Sequence, residues 1–447
     1  MKKMTRRDAL VLGAGAVGAG GLTAAGFGRG ARAAAIPTAN VSPPAAKIEN
    51  GASLRVLRPT KFVDADETIF RANTQKFTAE TGVQVRVDFA GWEDLRPQTA
   101  VAAQTGAGPD VVVAWADDPH IYADKVLDLS ELAGYLGQKY GGWLALPQRF
   151  GKKWGTEQWI ALPMGGSGGP CVYRQSWIKE AGFDTVPSDH AGFLKLCQQL
   201  KAAGHPAGFA LGNAVGDGNA FCNWLLWSHG GMVVDEAGKV AINSPETIAS
   251  LRYARELYQT FIPGTLSWGD VNNNRAFAAG EIGLTQNGVS MYFSLKNDPR
   301  TAPVAQDTGM ARMPLGPGGK MAENVLLLNG MIFKHTRYPN AAKEYIRFMM
   351  EAEQYDTWMT GCGGYWSHPL AAYAQSEVWK SDPKIAVYRD TNTVEFWSGY
   401  KGPISAASGS VAADYVVVQM YAAAASGQST PEEAVREAER RARRYYR

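Results

Sequence analysis

Residues 53–89 read SLRVLRPTKFVDADETIFRANTQKFTAETGVQVRVDF, and residues 108–115 read GPDVVVAW. The first six residues suit a strand. Residues 66–81 place Ile69, Phe70 and Phe77 on one helical face, and Gly82 ends that helix. Residues 83–89 alternate apolar and polar, as a strand with one solvated face does. A further helix fits near residues 92–104, and the β-branched run at 110–115 fits a strand buried on both faces. Strand, helix, strand in repetition predicts a mainly parallel sheet covered on both sides.

The same alternation resumes further on. Strands are expected at 170–174, 207–212, 281–285 and 325–334. Helices are expected at 188–203 with Ser188 as cap, 219–229, 244–260 and 271–280. The C-terminal part reads as helices over 339–350, 351–360, 408–425 and 431–445. The last carries Glu432–Arg436 and Glu437–Arg441 at i,i+4 spacing, the pattern of a solvated helix face.

With 447 residues the chain holds two or three domains' worth of protein and folds without metal or disulfide staples. Apolar residues make up 45% and charged residues 19%, which excludes a disordered tail protein. Outside the first 35 residues no apolar run of about 20 occurs, which argues against a polytopic membrane protein. The net charge of +3 is a property of the N-terminus: residues 1–33 hold six basic residues and one acid. The other 39 basic and 41 acidic residues leave the remainder at −2, so nothing suggests nucleic acid as a partner.

Residues 1–35 have a basic start, a weakly apolar Ala/Gly/Leu/Val stretch and a small-residue end, the plan of a secretory leader. Thr5-Arg6-Arg7-Asp8-Ala9-Leu10 resembles a twin-arginine export signal, with cleavage expected after Ala33 or Ala35 and no Cys for lipid anchoring. Residues 36–52 are expected to be a flexible mature start. Gly13-Ala14-Gly15-Ala16-Val17-Gly18 matches a dinucleotide fingerprint, but Pro37, Pro43 and Pro44 leave no room for the βαβ unit it needs. No cofactor is expected. Cys171, Cys197, Cys222 and Cys362 match no metal spacing, and read either as two disulfides or as four buried thiols.

Five segments, in order and at similar spacing, resemble the extracellular solute-binding proteins of ABC importers, in particular their sugar-binding, maltose-binding-protein-like branch. They are Gly108-Pro109-Asp110-Val111-Val112 with Trp115, and Ala161-Leu162-Pro163 followed by Val172-Tyr173-Arg174 and residues 177–183. Next come Phe277-Ala278-Ala279-Gly280-Glu281 leading to Asn287-Gly288, residues 309–316 (GMARMPLG), and residues 340–349 (NAAKEYIRFM). The resemblance covers nearly all of residues 53–445. It implies an α/β, two-lobed periplasmic-binding-protein fold of the class II type, with a hinge and a ligand cleft between lobes. By that analogy residues 53–165 and 328–375 form the first lobe, and 166–327 and 376–447 the second. It also implies a monomer that captures a carbohydrate or polyol in the periplasm, closes on it, and docks on membrane permease subunits, without catalysis.

A sugar site needs carboxylates and amides for the hydroxyl edge and aromatic rings for the C–H face. A ring contact adds about 0.5–1.5 kcal/mol and a charged hydrogen bond about 1.5–3 kcal/mol. Trp115, Asp117 and Asp118 follow the buried strand, where such loops carry function. In the family the aromatic and a following acid there contact sugar; the plainer alternative is a core tryptophan and a helix cap. Trp92 and Glu93 follow the preceding strand. Ser167 lies in a Gly-rich crossing, Asp217 in a Gly-rich loop, and Trp224 shares a helix face with Trp227, which also suits plain core. Trp268 and Asp270, Asn287 with Tyr292 nearby, and Trp366 match positions that approach ligand in relatives.

The alternative is an exported enzyme, a flavin oxidoreductase through the leader glycines or a serine hydrolase through Gly165-Gly166-Ser167-Gly168-Gly169. The hydrolase elbow requires a helix after its serine, and here Pro170 and a strand-like CVY follow.

Overall fold

The computed structural model describes residues 36–447. The leader reading and the Gly13–Gly18 pattern lie outside the described residues. Among the described residues, eight strands form two sheets. The first has the order β2 (Gln84–Ala90), β1 (Ser53–Pro59), β3 (Val111–Trp115), β8 (Leu326–Ile332), β4 (Leu162–Ser167). The second is β6 (Leu284–Gln286), β5 (Cys171–Arg174), β7 (Thr308–Ala311).

The chain therefore passes from the first sheet to the second between Ser167 and Cys171, and returns between Ala311 and Leu326. β1, β2 and β3 are parallel, with Val56 opposite both Val87 and Val111. β8 runs antiparallel to β3 and β4, with Trp115 opposite Leu328. The sheet is thus mixed rather than mainly parallel. A strand returning from the other sheet enters at the edge where β3 ends, so it must run against β3. All five residues of β3 are buried, as an unbroken apolar run requires.

Helix Asp64–Thr81 opens with Asp64, Asp66 and Glu67 at its positive end and stops at Gly82, whose φ of 79° suits glycine. It packs with helices Pro339–Met350 and Ala352–Gly361 beside the first sheet. Helices Asp217–Ser228, Pro245–Tyr258, Val416–Ser426 and Pro431–Ala442 pack against one another around a second apolar core that includes Trp224, Leu251, Tyr421 and Val435.

Several local expectations are corrected. Residues 207–212 form no strand, only isolated bridges from Ala207 to Phe261 and Leu284. Asp189, not Ser188, caps helix His190–Ala202, accepting from Gly192 N at 2.9 Å. The helix expected over 408–425 breaks into Ala406–Ala413 and Val416–Ser426 at Tyr415, which has φ 53°. The i,i+4 pairs of the last helix give way to other partners: Glu432 pairs with Arg252 and Glu437 with Arg440. Arg441 instead donates to Gln419 and to the Asp414 carbonyl.

Residues 36–52 have no helix or strand, yet Ile36 is buried, Ala39 N donates to Lys139 O, and Glu49 accepts from the Asn340 and Ala341 amides. All four cysteines are free and buried. Among the described residues no helix is long and apolar enough to cross a membrane.

Candidate ligand-binding site

The ends of β1, β2, β4 and β6 and the entry to β8 converge on one cleft, as expected where the chain crosses between sheets. Phe62 follows β1, Trp92 follows β2, Ser167 ends β4, Gln286 ends β6, and Asn324 and Leu326 lead into β8. Asp217, Asp270 and Tyr365 complete the wall. The cleft holds about 440 Å³ outside the atoms, counting the part open to solvent. Only about 40 Å³ of it admits the centre of a water molecule, so the walls stand close together in this conformation.

The Gly-rich crossing is built for close approach. A Cβ on Gly166 would run into Asn392, and one on Gly168 would run into Glu323 and Thr391. Backbone contact replaces side chains: Gly169 N donates to Glu323 Oε1 at 3.0 Å, and Gly169 O accepts from Gln286 Nε2 at 2.7 Å. Glu323 is in turn paired with Arg312 at 2.7 Å. No helix follows Ser167, and among the described residues no histidine lines the cleft, so the hydrolase pattern lacks its elbow and shows no base there.

Asp270 fixes the floor. Its carboxylate accepts from Val215 N at 2.9 Å, Gly216 N at 3.0 Å and Asp217 N at 2.7 Å. These are donors that the start of helix Asp217–Ser228 leaves unpaired. Burial nevertheless pushes its pKa up to about 6, against the pull of those three donors. Asp217 Oδ2 is buried and has no hydrogen-bond partner among the described residues. Burial first, and the Asp270 charge second, hold Asp217 well above the usual carboxylate range.

A pH dependence follows. A carboxyl group raised by folding contributes stability that is full below its unfolded pKa near 4 and is lost as pH rises through the folded value. Asp217→Asn is therefore expected to melt above the wild type at pH 7.5, with the gap closing toward pH 4. Melting curves of both proteins across that window check it; a gap independent of pH would refute it.

The aromatic side of the cleft is held rigidly. Trp92 Nε1 donates to Thr60 O at 3.0 Å, and its ring lies 4.4 Å from Phe62 and 4.8 Å from Trp115 by centroids. A second, narrow recess, lined by Arg96, Trp115, Asp117, Asn219, Asn223 and Ser398, shares Asn324 and Leu326 with the first. In it burial pushes Asp117 up to about 6. Trp115 Nε1 and Asp117 Oδ1 make no hydrogen bond among the described residues.

Of the residues singled out in the sequence, Trp92, Ser167, Asp217, Asp270 and Asn287 line the cleft, and Trp115 and Asp117 the second recess. Glu93 stands beside Asp270 and adds to the rise of its pKa. The others lie elsewhere. Asp118 is consumed by Arg96 at 2.8 Å and by Trp115 N. Trp224 is core, its Nε1 donating to Pro314 O. Trp268 packs over Gly208, and Trp366 is buried against Gly165. Tyr292 donates to Asp382 at 2.6 Å, and the residue after Gly288 begins a helix, Val289–Asn297, that sequence reading missed.

Phe62, Gln286, Ser290, Asn324 and Tyr365 were also missed. The strand-end rule that picked Trp92 would have found Phe62 and Gln286. Tyr365 is the immediate neighbour of Trp366. Asn324 arrives only through the return crossing and has no local signal.

Two lobes joined by a glycine-rich crossing, with aromatic faces and unpaired acceptors in the cleft, define a ligand-binding protein. The chain belongs to the bacterial extracellular solute-binding protein family, whose sequence profile matches residues 72–387. A probable ABC transporter-binding protein of Deinococcus radiodurans is 24% identical over 203 residues, 44% of this chain. That match spans about half the length of the relative, 48%.

Among solved structures, T. maritima MalE3 with bound maltose has a TM-score of 0.76 at 20% identity, covering 88% of this chain and 99% of that one. A solute-binding protein of Agrobacterium vitis S4 with bound D-mannitol has a TM-score of 0.70 at 20% identity, covering 88% and 98%. These likenesses establish the two-lobed α/β fold.

Proposed function

We propose that this protein is the substrate-binding component of an ABC importer and captures a sugar or polyol in the cleft around Asp217. One observation carries the reading: the aromatic rings of Phe62, Trp92 and Tyr365 line the same cleft as the polar groups of Ser167, Asp217, Gln286, Asn287 and Asn324. Rings cover the C–H face of a saccharide and the polar edge pairs its hydroxyls. The maltose and D-mannitol held by the two solved relatives belong to this chemistry.

In this reading residues 53–165 with 328–375 and residues 166–327 with 376–447 are lobes that close by torsion in the crossings. The closed form, a monomer, presents itself to the permease. The leader directs the folded protein to the periplasm by the twin-arginine route, without a lipid anchor. No turnover accompanies binding.

The test is thermal unfolding of the leaderless protein against mono-, di- and oligosaccharides, polyols and amino acids. Ligand at 100 times its Kd stabilises by about 2.7 kcal/mol, which is a shift of several degrees in Tm. A selective shift with one saccharide or polyol class is the expected result. A shift with amino acids alone would overturn the carbohydrate reading.

A further inference from the structure

We infer that the ligand carries a protonated amine, so that an amino-substituted saccharide is the substrate class; this rests on the cleft reading above and narrows it. Among the described residues, the cleft lining contains two carboxylates, Asp217 and Asp270, and no lysine, arginine or histidine. The nearby cations are spent: Arg312 is paired with Glu323 and Arg96 with Asp118. Glu93 adds a third acid beside Asp270.

A second observation is independent of the acids. Gln286 is only 4% exposed and lines the cleft, and its Oε1 has no partner among the described residues. Its orientation is fixed, because Nε2 donates to Gly169 O at 2.7 Å and a flipped amide would set oxygen against oxygen. Asp217 Oδ2 is likewise buried and unpartnered. Gln286 Oε1 only accepts, and Asp217 Oδ2 accepts once its carboxyl is ionised, so a donor-only group on the ligand satisfies both. Asp270 is not open, because three backbone amides already occupy it.

An ammonium group is donor only and carries the charge that paired acids need. Phe62, Trp92 and Tyr365 line the same cleft, and an aromatic ring attracts a cation as well as packing on a sugar ring. A neutral hydroxyl would meet one acceptor and leave the acidic lining uncompensated. The titratable groups facing Asp217 are Asp270 and Tyr365, with Glu93 and Tyr415 facing Asp270 in turn. Binding a cation beside this set displaces a proton from the acids, so uptake of the amine releases protons near neutral pH.

The experiment is calorimetric titration of the leaderless protein with matched pairs: glucosamine and glucose, galactosamine and galactose, mannosamine and mannose, and the β-1,4 glucosamine disaccharide and cellobiose. In at least one pair the amine is expected to bind about tenfold tighter or better, because charge-assisted hydrogen bonds replace neutral ones. Its apparent enthalpy should vary with the ionisation heat of the buffer, reporting proton release. Asp217→Asn should bring the two members of that pair within about twofold without lowering the melting temperature at neutral pH.

A neutral member that binds as tightly as its amine overturns the inference and leaves the carbohydrate reading standing. Failure of both members of every pair to bind overturns the inference; a shift with other saccharides or polyols in the thermal panel would show that the broader reading survives.

Discussion

Asp66→Ala should destabilise the protein by about 3–5 kcal/mol, the cost of removing one partner from a buried ion pair. Arg58 on β1 and Asp66 in the first turn of helix Asp64–Thr81 are both fully buried. Arg58 Nη2 reaches both Asp66 oxygens at 2.7 Å, Nε donates to Pro59 O, and the guanidinium lies 4.4 Å from the Phe70 ring centroid. Asp66 Oδ1 also accepts from Trp358 Nε1 at 2.8 Å, tying in helix Ala352–Gly361.

Alanine therefore strands a charge and an indole N–H together, in a place water cannot reach. Asp66→Asn keeps one acceptor and should cost less. Replacing both Arg58 and Asp66 by apolar residues of similar volume should recover most of the loss, because no uncompensated charge then stays buried. Denaturant titrations of the variants read this directly. A loss below about 1 kcal/mol for Asp66→Ala would mean that the pair contributes no more than an exposed one.

The sequence made most of the first sheet legible because its signals are local; β4 was not expected as a strand, because its Gly165-Gly166-Ser167 end reads as a crossing. β1, β2 and β3 are each bounded by a turn residue or a helix start, and the unbroken run at 111–115 admits few readings other than a buried strand. β8 was visible as a strand but not in its direction, since direction depends on where the chain has been between Ala311 and Leu326. Residues 207–212 look like a strand, but they find only single bridges to Phe261 and Leu284, and propensity alone cannot supply partners.

The site divides in the same way. Trp92 and Asn287 follow strands and Ser167 ends one, and that position is enough to aim them at the cleft. Trp224 sits in a helix whose residues are almost all buried, so spacing on a helix face said nothing about ligand. Asp118 illustrates a subtler limit. It occupies a position where a ligand-contacting acid is expected, yet Arg96, placed by helix Leu95–Thr105, has already claimed it. Only the packed structure tells an acid with an unpartnered oxygen, such as Asp217, from one that already has a partner.

Gly288→Val should abolish ligand binding, by about 100-fold or more, equivalent to about 2.7 kcal/mol, while leaving the fold in place. Gly288 joins β6 to helix Val289–Asn297 with φ −71° and ψ 170°, extended backbone that any residue adopts. Its glycine is therefore required for space and not for conformation. A Cβ there would stand 2.6 Å from Ser167 Oγ, 3.3 Å from Tyr365 Cε2 and 3.7 Å from Gly168 O, inside the cleft itself.

The serine hydroxyl can swing away, so the stability cost should stay near ~1 kcal/mol. The valine methyl groups then fill the volume that a sugar ring would take. Gly318→Val, at an exposed position with nothing within 4 Å of the added Cβ, serves as control and should bind as the wild type does. If Gly288→Val melts normally and still binds with wild-type affinity, the ligand does not lie between Ser167 and Gly288. The second recess, around Trp115 and Asp117, would then become the site to test.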